Sequence, residues 1–152
     1  MESTHCITDC HGVTYRVHSE RDIGWSFHIW HGDNVVGHMY CTGQPPVLQV
    51  GDFKLYDDVC VRESLAATCW RKLLGRPRPV SNYRNRGLGT AMFTLLSKLA
   101  KSADYKCLEG WISDVDTESN PGLPDWYRRR GYIVTEGAGK YARQVAVIRK
   151  NL

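Results

Sequence analysis

One stretch of this 152-residue chain sets charge and backbone donors where they could do chemistry: Arg84-Asn85-Arg86-Gly87-Leu88-Gly89-Thr90, which runs straight into a helical repeat. Glycine lets a backbone turn tightly, and the first N–H groups of a helix have no acceptor inside it. Several donors and the helix dipole therefore converge on one point. That geometry suits a phosphate, and the flanking arginines add charge. The pattern is not the dinucleotide fingerprint, which needs a third Gly where this chain has Met92. It is not a P-loop either, because no Gly-Lys-Ser/Thr follows. From residue 62 to residue 86 there are seven basic residues (Arg62, Arg71, Lys72, Arg76, Arg78, Arg84, Arg86) against one acid, Glu63. An anion should feel a positive field there.

Periodicity shows which elements must hold this loop. Leu88, Ala91, Met92, Leu95, Leu96, Leu99, Ala100 and Ala103 recur at i, i+3, i+4 and i+7, predicting a helix that opens on the loop. Residues 13–19 and 25–31 are rich in aromatic and β-branched types at strand length, and Gly32-Asp33-Asn34 turns the second into a hairpin over 25–42. After Gly51-Asp52, FKLYDDVCVR predicts another strand. Residues 63–74 change to helical spacing (Leu65, Ala66, Cys69, Trp70, Leu73, Leu74), with Gly75 placed as a C-cap, and 76–82 carries two prolines and predicts a loop. Residues 105–113 predict a strand in which Gly110 marks a bulge or the approach of a ligand. An acidic loop over 114–119 follows, then a helix capped by Asn120 and stopped at Gly131, then a hairpin through Gly137-Ala138-Gly139. The residues ahead of the first strand are expected to fray.

A chain that is 42% hydrophobic and 24% charged is composed as a single globular domain, here 1–152, and is large enough to build a core without staples. No apolar run approaches the roughly 18 residues needed to cross a bilayer, and MESTHCITDCHG lacks the basic start and apolar centre of a signal peptide. A cytoplasmic protein with no membrane role is expected. The six cysteines form no C-x-x-C pair and read as buried thiols. All six histidines fall in the first 38 residues, and His5, Cys6, Cys10 and His11 match no common zinc spacing, so no metal is expected. His28 and His38 have base chemistry but no positional support. A net charge of +4 is too mild to announce nucleic acid.

Arg84-x-x-Gly87-x-Gly89 opening a helix resembles the acyl-CoA pyrophosphate loop of the GNAT superfamily of N-acyltransferases. A second motif agrees: Asn120 precedes Tyr127 by seven residues in Trp126-Tyr127-Arg128-Arg129-Arg130-Gly131-Tyr132, similar to that family's aromatic-Tyr segment. The resemblance covers about residues 53–135 and implies a mixed α/β (α+β) fold, mostly antiparallel, with helices flanking a central sheet. It also implies acetyl-CoA as donor co-substrate. The backbone of Arg86, Gly87, Leu88, Gly89 and Thr90 would hold the pyrophosphate, with charge from Arg84 and Arg86. Asn120 would belong to the same cofactor site. The pantetheine arm would lie between strands 55–61 and 105–113, pairing near Val59 and Val61 as an added strand does. Tyr127 would protonate the departing thiolate; without the motif it reads as a core aromatic. An ammonium has no lone pair, so a base is needed. Asp57 is the first candidate, because Leu55-Tyr56-Asp57-Asp58-Val59-Cys60-Val61 is similar to the acidic pair of diamine acetyltransferases. Neighbours on a strand face opposite sides, so at most one of Asp57 and Asp58 points at substrate; the other is solvated or pairs with an arginine. Glu109 is the second candidate, and Asp114, Asp116 and Glu118 could attract a cationic acceptor.

This chain departs from the family in two places. The phosphate loop usually follows the central strand closely, whereas here residues 62–83 intervene as an inserted helix and loop. The short N-terminus also leaves no room for the two helices that normally wall the acceptor site. The insertion, with Trp70 and its basic residues, is expected to replace that wall. A small polyamine-like amine, a protein lysine or N-terminus, and an antibiotic amine all fit the motifs as acceptor, and the open face tilts the expectation toward a protein. A toxin-like enzyme acetylating aminoacyl-tRNA is a second reading, against which the mild charge and acidic 114–118 argue. A non-catalytic acyl-CoA- or protein-binding module is a third. A homodimer would fit the family's habit.

Overall fold

Alternating apolar side chains give most strands one dry face. The computed structural model describes residues 2–57, 59–60, 64–77, 80–137 and 143–152. Its strands are β1 (Glu2–Thr8), β2 (Thr14–Arg21), β3 (Trp25–His31), β4 (Asn34–Thr42), β5 (Val47–Leu55), β6 (Val59–Cys60), β7 (Val80–Ser81), β8 (Cys107–Ser113), β9 (Ile133–Glu136) and β10 (Gln144–Asn151). Its helices are α1 (Leu65–Leu73), α2 (Leu88–Ser102), α3 (Asp114–Ser119) and α4 (Leu123–Arg128). The main sheet has the order β1-β2-β3-β4-β5-β8-β10-β9, and β6 and β7 form a separate ribbon. The β1/β2, β8/β10 and β9/β10 pairs are antiparallel, and β5/β8 is parallel. Among the described residues no helix precedes Leu65.

Contacts cluster in two units that interleave along the chain: one of residues up to 22, 26–39 and 53–93, the other of 23–25, 40–52 and 94–152. In the first, Tyr15, Val17, Phe27 and Ile29 alternate inward along β2 and β3, and Leu88, Met92 and Phe93 line the first turns of α2. Phe53 meets Phe93 edge-on at 5.5 Å between ring centroids. In the second, Leu48, Leu108, Ile112, Ala146 and Ile148 are buried from β5, β8 and β10, and Leu96 and Ala100 from the later turns of α2.

Several expectations are corrected. The N-terminus does not fray: β1 pairs with β2 from Glu2↔Glu20 to Thr8↔Thr14. The strand expected over FKLYDDVCVR begins earlier, at Val47, and ends at Leu55, because Leu48 and Val50 are the residues with a buried face and β5, neighbour to β4 in the sheet, runs on through Gly51. Val59 therefore does not lie beside β8: it pairs with Ser81 in the ribbon, inside what was expected to be a loop. Val61 lies outside the described residues. Gly110 does not mark a bulge, and the space a side chain would take there is filled by protein. A Cβ there would stand 3.2 Å from the Val50 carbonyl oxygen and from Ile148 Cδ1, so β5 and β10 claim the space, and the irregularity falls on β10 between Gln144 and Ala146. Residues 114–119 are helix α3, capped by Ser113 with Asp116 closing a capping box. Asn120 ends α3 instead of starting α4, whose N-cap is Gly122. Of the six free cysteines only Cys41 and Cys107 are buried.

Candidate phosphate loop and tyrosine segment

In the first unit the loop starts from a buried root. Tyr83 is 2% exposed, its hydroxyl lies 3.1 Å from His31 Nδ1, and its ring meets Tyr15 edge-on at 6.1 Å. The Arg84 N–H donates to Asn82 Oδ1 at 2.7 Å, and then Asn85 (φ 59°) and Gly87 (φ 77°) take left-handed conformations. A non-glycine residue at the second of these would be strained. The Ala91 N–H donates to the Gly87 carbonyl at 3.0 Å, so α2 winds directly out of the loop and its first turn, with Leu88 and Gly89, opens there. That turn carries the donors expected for a phosphate.

The arginines and the first acid are already engaged. Arg84 Nε lies 2.5 Å from Asp57 Oδ1, with both side chains about half exposed. An exposed pair like this contributes about 0–1 kcal/mol, so an incoming phosphate could take the guanidinium at little cost. Arg86 turns inward, its guanidinium 5.3 Å from the Tyr83 ring centroid and hydrogen-bonded to the Tyr15 hydroxyl. His38 Nδ1 lies 2.8 Å from the Tyr56 hydroxyl, beside Asp57 in sequence.

The second unit holds the tyrosine segment. Tyr127 is 9% exposed, with Trp126 at 4.9 Å and Tyr132 at 5.3 Å between ring centroids, both edge-on. Burial first, and then the Asp116 carboxylate, push its pKa above the usual tyrosine range, so it is a protonated phenol at neutral pH. The capping box places Asp116, whose Oδ2 accepts from the Ser113 hydroxyl at 2.7 Å. Glu109 lies opposite Arg149 in the β8/β10 register, and their charged ends are 3.2 Å apart. Asp114 faces Arg143 at 3.4 Å. The β5/β8 ladder stops at Val50↔Gly110 although both strands continue, so Gly51 and Asp52 do not pair with Trp111 to Ser113. Burial pushes the Cys41 thiol up to about 12, which removes it as a nucleophile near neutral pH.

Within the units, Asp57 stands with Arg84, Arg86 with Tyr83, and Tyr127 among aromatics near Asp116. Sequence reasoning missed the support under the loop, namely Asp9, Tyr15 and His31. The one signal available was Asp9-Cys10-His11-Gly12, a side-chain-closed turn sequence. An open polar groove of about 490 Å³ lined by Glu2, Ser3, Thr4, His18, Ser19, Glu20 and His28 shares no residue with the predicted site.

No protein-family model matches this sequence, and no curated protein does. Solved structures do match. The GNAT domain of S. lividans PAT is 10% identical, with 98% of this chain and 97% of that one covered at a TM-score of 0.67. A GNAT family acetyltransferase of Elizabethkingia anophelis with acetyl-CoA bound is 12% identical, covering 86% and 77% at 0.56. An IAA acetyltransferase of Bacillus cereus is 12% identical, covering 86% and 79% at 0.56. At such identities the likeness is one of fold: this chain has the fold of the GNAT acetyltransferases.

Proposed function

We propose that this chain, with that fold, is an acetyl-CoA-dependent N-acetyltransferase acting as one domain and transferring by direct attack. The observation that carries the reading is the Arg84–Thr90 loop, whose left-handed Asn85 and Gly87 turn the chain into the N-terminus of α2 beside Arg84. The N–H groups there hold the pyrophosphate, and Arg84 leaves Asp57 to pair with it. The thioester arm pairs with the β5 edge past Val50, replacing the contact expected at Val59; Asn120 remains a candidate donor contact.

The amine nitrogen attacks the thioester carbonyl, a tetrahedral intermediate forms, the C–S bond breaks, and the Tyr127 phenol gives its proton to the thiolate sulfur. The amine's own proton goes to a carboxylate. Asp57 is favoured over Glu109, because donor binding takes Arg84 away from Asp57 while nothing in that step takes Arg149 from Glu109. Donor would then bind before acceptor. Helix α1, with Leu65, Trp70 and Leu73 exposed and Arg71 and Lys72 in its last turn, supports a macromolecular amine such as a protein lysine or N-terminus as acceptor.

Calorimetric titration with acetyl-CoA tests this. Wild-type protein binds, and an Arg84→Ala/Gly89→Glu double variant, which removes a cation and puts a carboxylate on the phosphate, does not. Absence of binding by the wild type ends the enzyme reading. Tyr127→Phe lowers kcat by about a hundredfold or more with donor affinity retained; unchanged turnover removes Tyr127 from the mechanism.

A further inference from the structure

Beneath the phosphate loop lies a carboxylate that the mechanism above does not use. Asp9 is the one buried polar or charged residue among the described residues, 7% exposed, and it opens the turn between β1 and β2. Its Oδ1 accepts the N–H groups of His11 and Val13, each at 2.9 Å, and its Oδ2 accepts the Tyr15 hydroxyl at 2.9 Å. Its own N–H donates to the Val13 carbonyl at 2.9 Å, and the Gly12 N–H donates to its carbonyl at 3.1 Å. One side chain therefore closes the turn and anchors it to the buried face of β2.

The turn meets the phosphate loop through one backbone bond: the Cys10 N–H donates to the Arg86 carbonyl at 2.9 Å. In a trans peptide the C=O of one residue and the N–H of the next point in opposite directions. Tying the Arg86 carbonyl to the turn therefore aims the Gly87 N–H away from it, and Gly87 rests on Cys10, where a Cβ would stand 3.5 Å from the Cys10 Cβ. The Arg86 side chain is held from the same source, since the Tyr15 hydroxyl that donates to Asp9 also takes a hydrogen bond from the guanidinium. Arg86 is thus fixed at its carbonyl and at its side chain by two groups that Asp9 holds in place.

We propose that Asp9 is a positioning residue for the phosphate loop: by closing the β1–β2 turn and holding Tyr15, it sets the Arg86 peptide so that the Gly87 N–H faces the donor's pyrophosphate. The inference rests on the acetyl-CoA reading above and adds to it a residue far from the loop in sequence.

The test compares acetyl-CoA with acetyl-pantetheine, the same thioester without the pyrophosphate. In the full-length Asp9→Ala variant, kcat/KM for acetyl-CoA falls about tenfold relative to kcat/KM for acetyl-pantetheine, the size expected when one charge-assisted hydrogen bond is misaimed. Asp9→Asn, which keeps an oxygen for His11 and Val13, recovers most of that ratio. An unchanged ratio in Asp9→Ala overturns the proposal, and so does equal loss on both donors, which marks a role in the fold at large. Should Asp9→Ala melt below the assay temperature, Tyr15→Phe carries the test. It removes the hydroxyl between Asp9 and Arg86 and lowers the ratio about threefold; no change overturns the proposal. Wild-type protein with no preference for acetyl-CoA over acetyl-pantetheine is a separate result that overturns the donor reading and this proposal with it.

Discussion

The phosphate loop and helix α1 belong to the same unit and share the basic stretch, yet they are held in opposite ways. Helix α1 has every local signal: Ser64 caps it by accepting the Ala67 N–H, Arg71 and Lys72 sit in its last turn, and Gly75 follows in the left-handed conformation. None of its residues is buried, and Leu65, Trp70 and Leu73 are 87%, 65% and 78% exposed. The loop has weaker local signals, with a left-handed asparagine at its centre, but it grows from buried Tyr83 and is tied to a turn more than seventy residues earlier in the chain. Local signals choose a conformation, whereas burial and long-range bonds stabilise it. A loop with the proposed phosphate role needs that rigidity, whereas α1 presents apolar and basic side chains outward.

That contrast can be broken or sharpened. The largest effect is expected from deleting residues 65–78, which should abolish transfer to the amine while leaving acetyl-CoA affinity within about twofold. Loss of both, or of neither, would show that α1 does not select the acceptor. Next comes Tyr83→Ala, which should destabilise the protein by about 3–5 kcal/mol in denaturant unfolding, because it empties a buried aromatic site and strands His31. A loss under about 1 kcal/mol would mean the loop does not depend on its root. The smallest is Trp70→Ala: melting should show a change within about 0.5 kcal/mol, since little burial is lost, and a larger loss would place α1 in the core.

Much of the scaffold was legible in the sequence. The eight apolar positions from Leu88 to Ala103 anticipated α2 to within a residue, and the closing hairpin followed from its turn glycines, because both depend on neighbours within one or two turns of chain. The site was legible in part. Gly87 and Gly89 at a helix start marked the loop, but nothing near Asp57 announced that it would pair with Arg84 across the insertion. Acidic residues misled at 114–119, where Ser113-x-x-Asp116 outweighed the loop-like composition. Gly51 misled in β5, where the strand, neighbour to β4, runs through it beyond the end of the β8 ladder.

By itself the sequence determined that residues 88–102 coil, that the chain turns back after 25–31 and again before the last strand, and that a helix N-terminus opens beside arginines, since those properties arise from near neighbours in the chain. The tertiary structure alone decided that the β1–β2 turn lies under the phosphate loop, that Asp9 rather than a nearer residue sets Arg86, and that β8 pairs with residues 47–50 and not with Val59. Those choices depend on which strands bury which faces together. That burial is a collective outcome of the whole sheet, and no window of the sequence contains it.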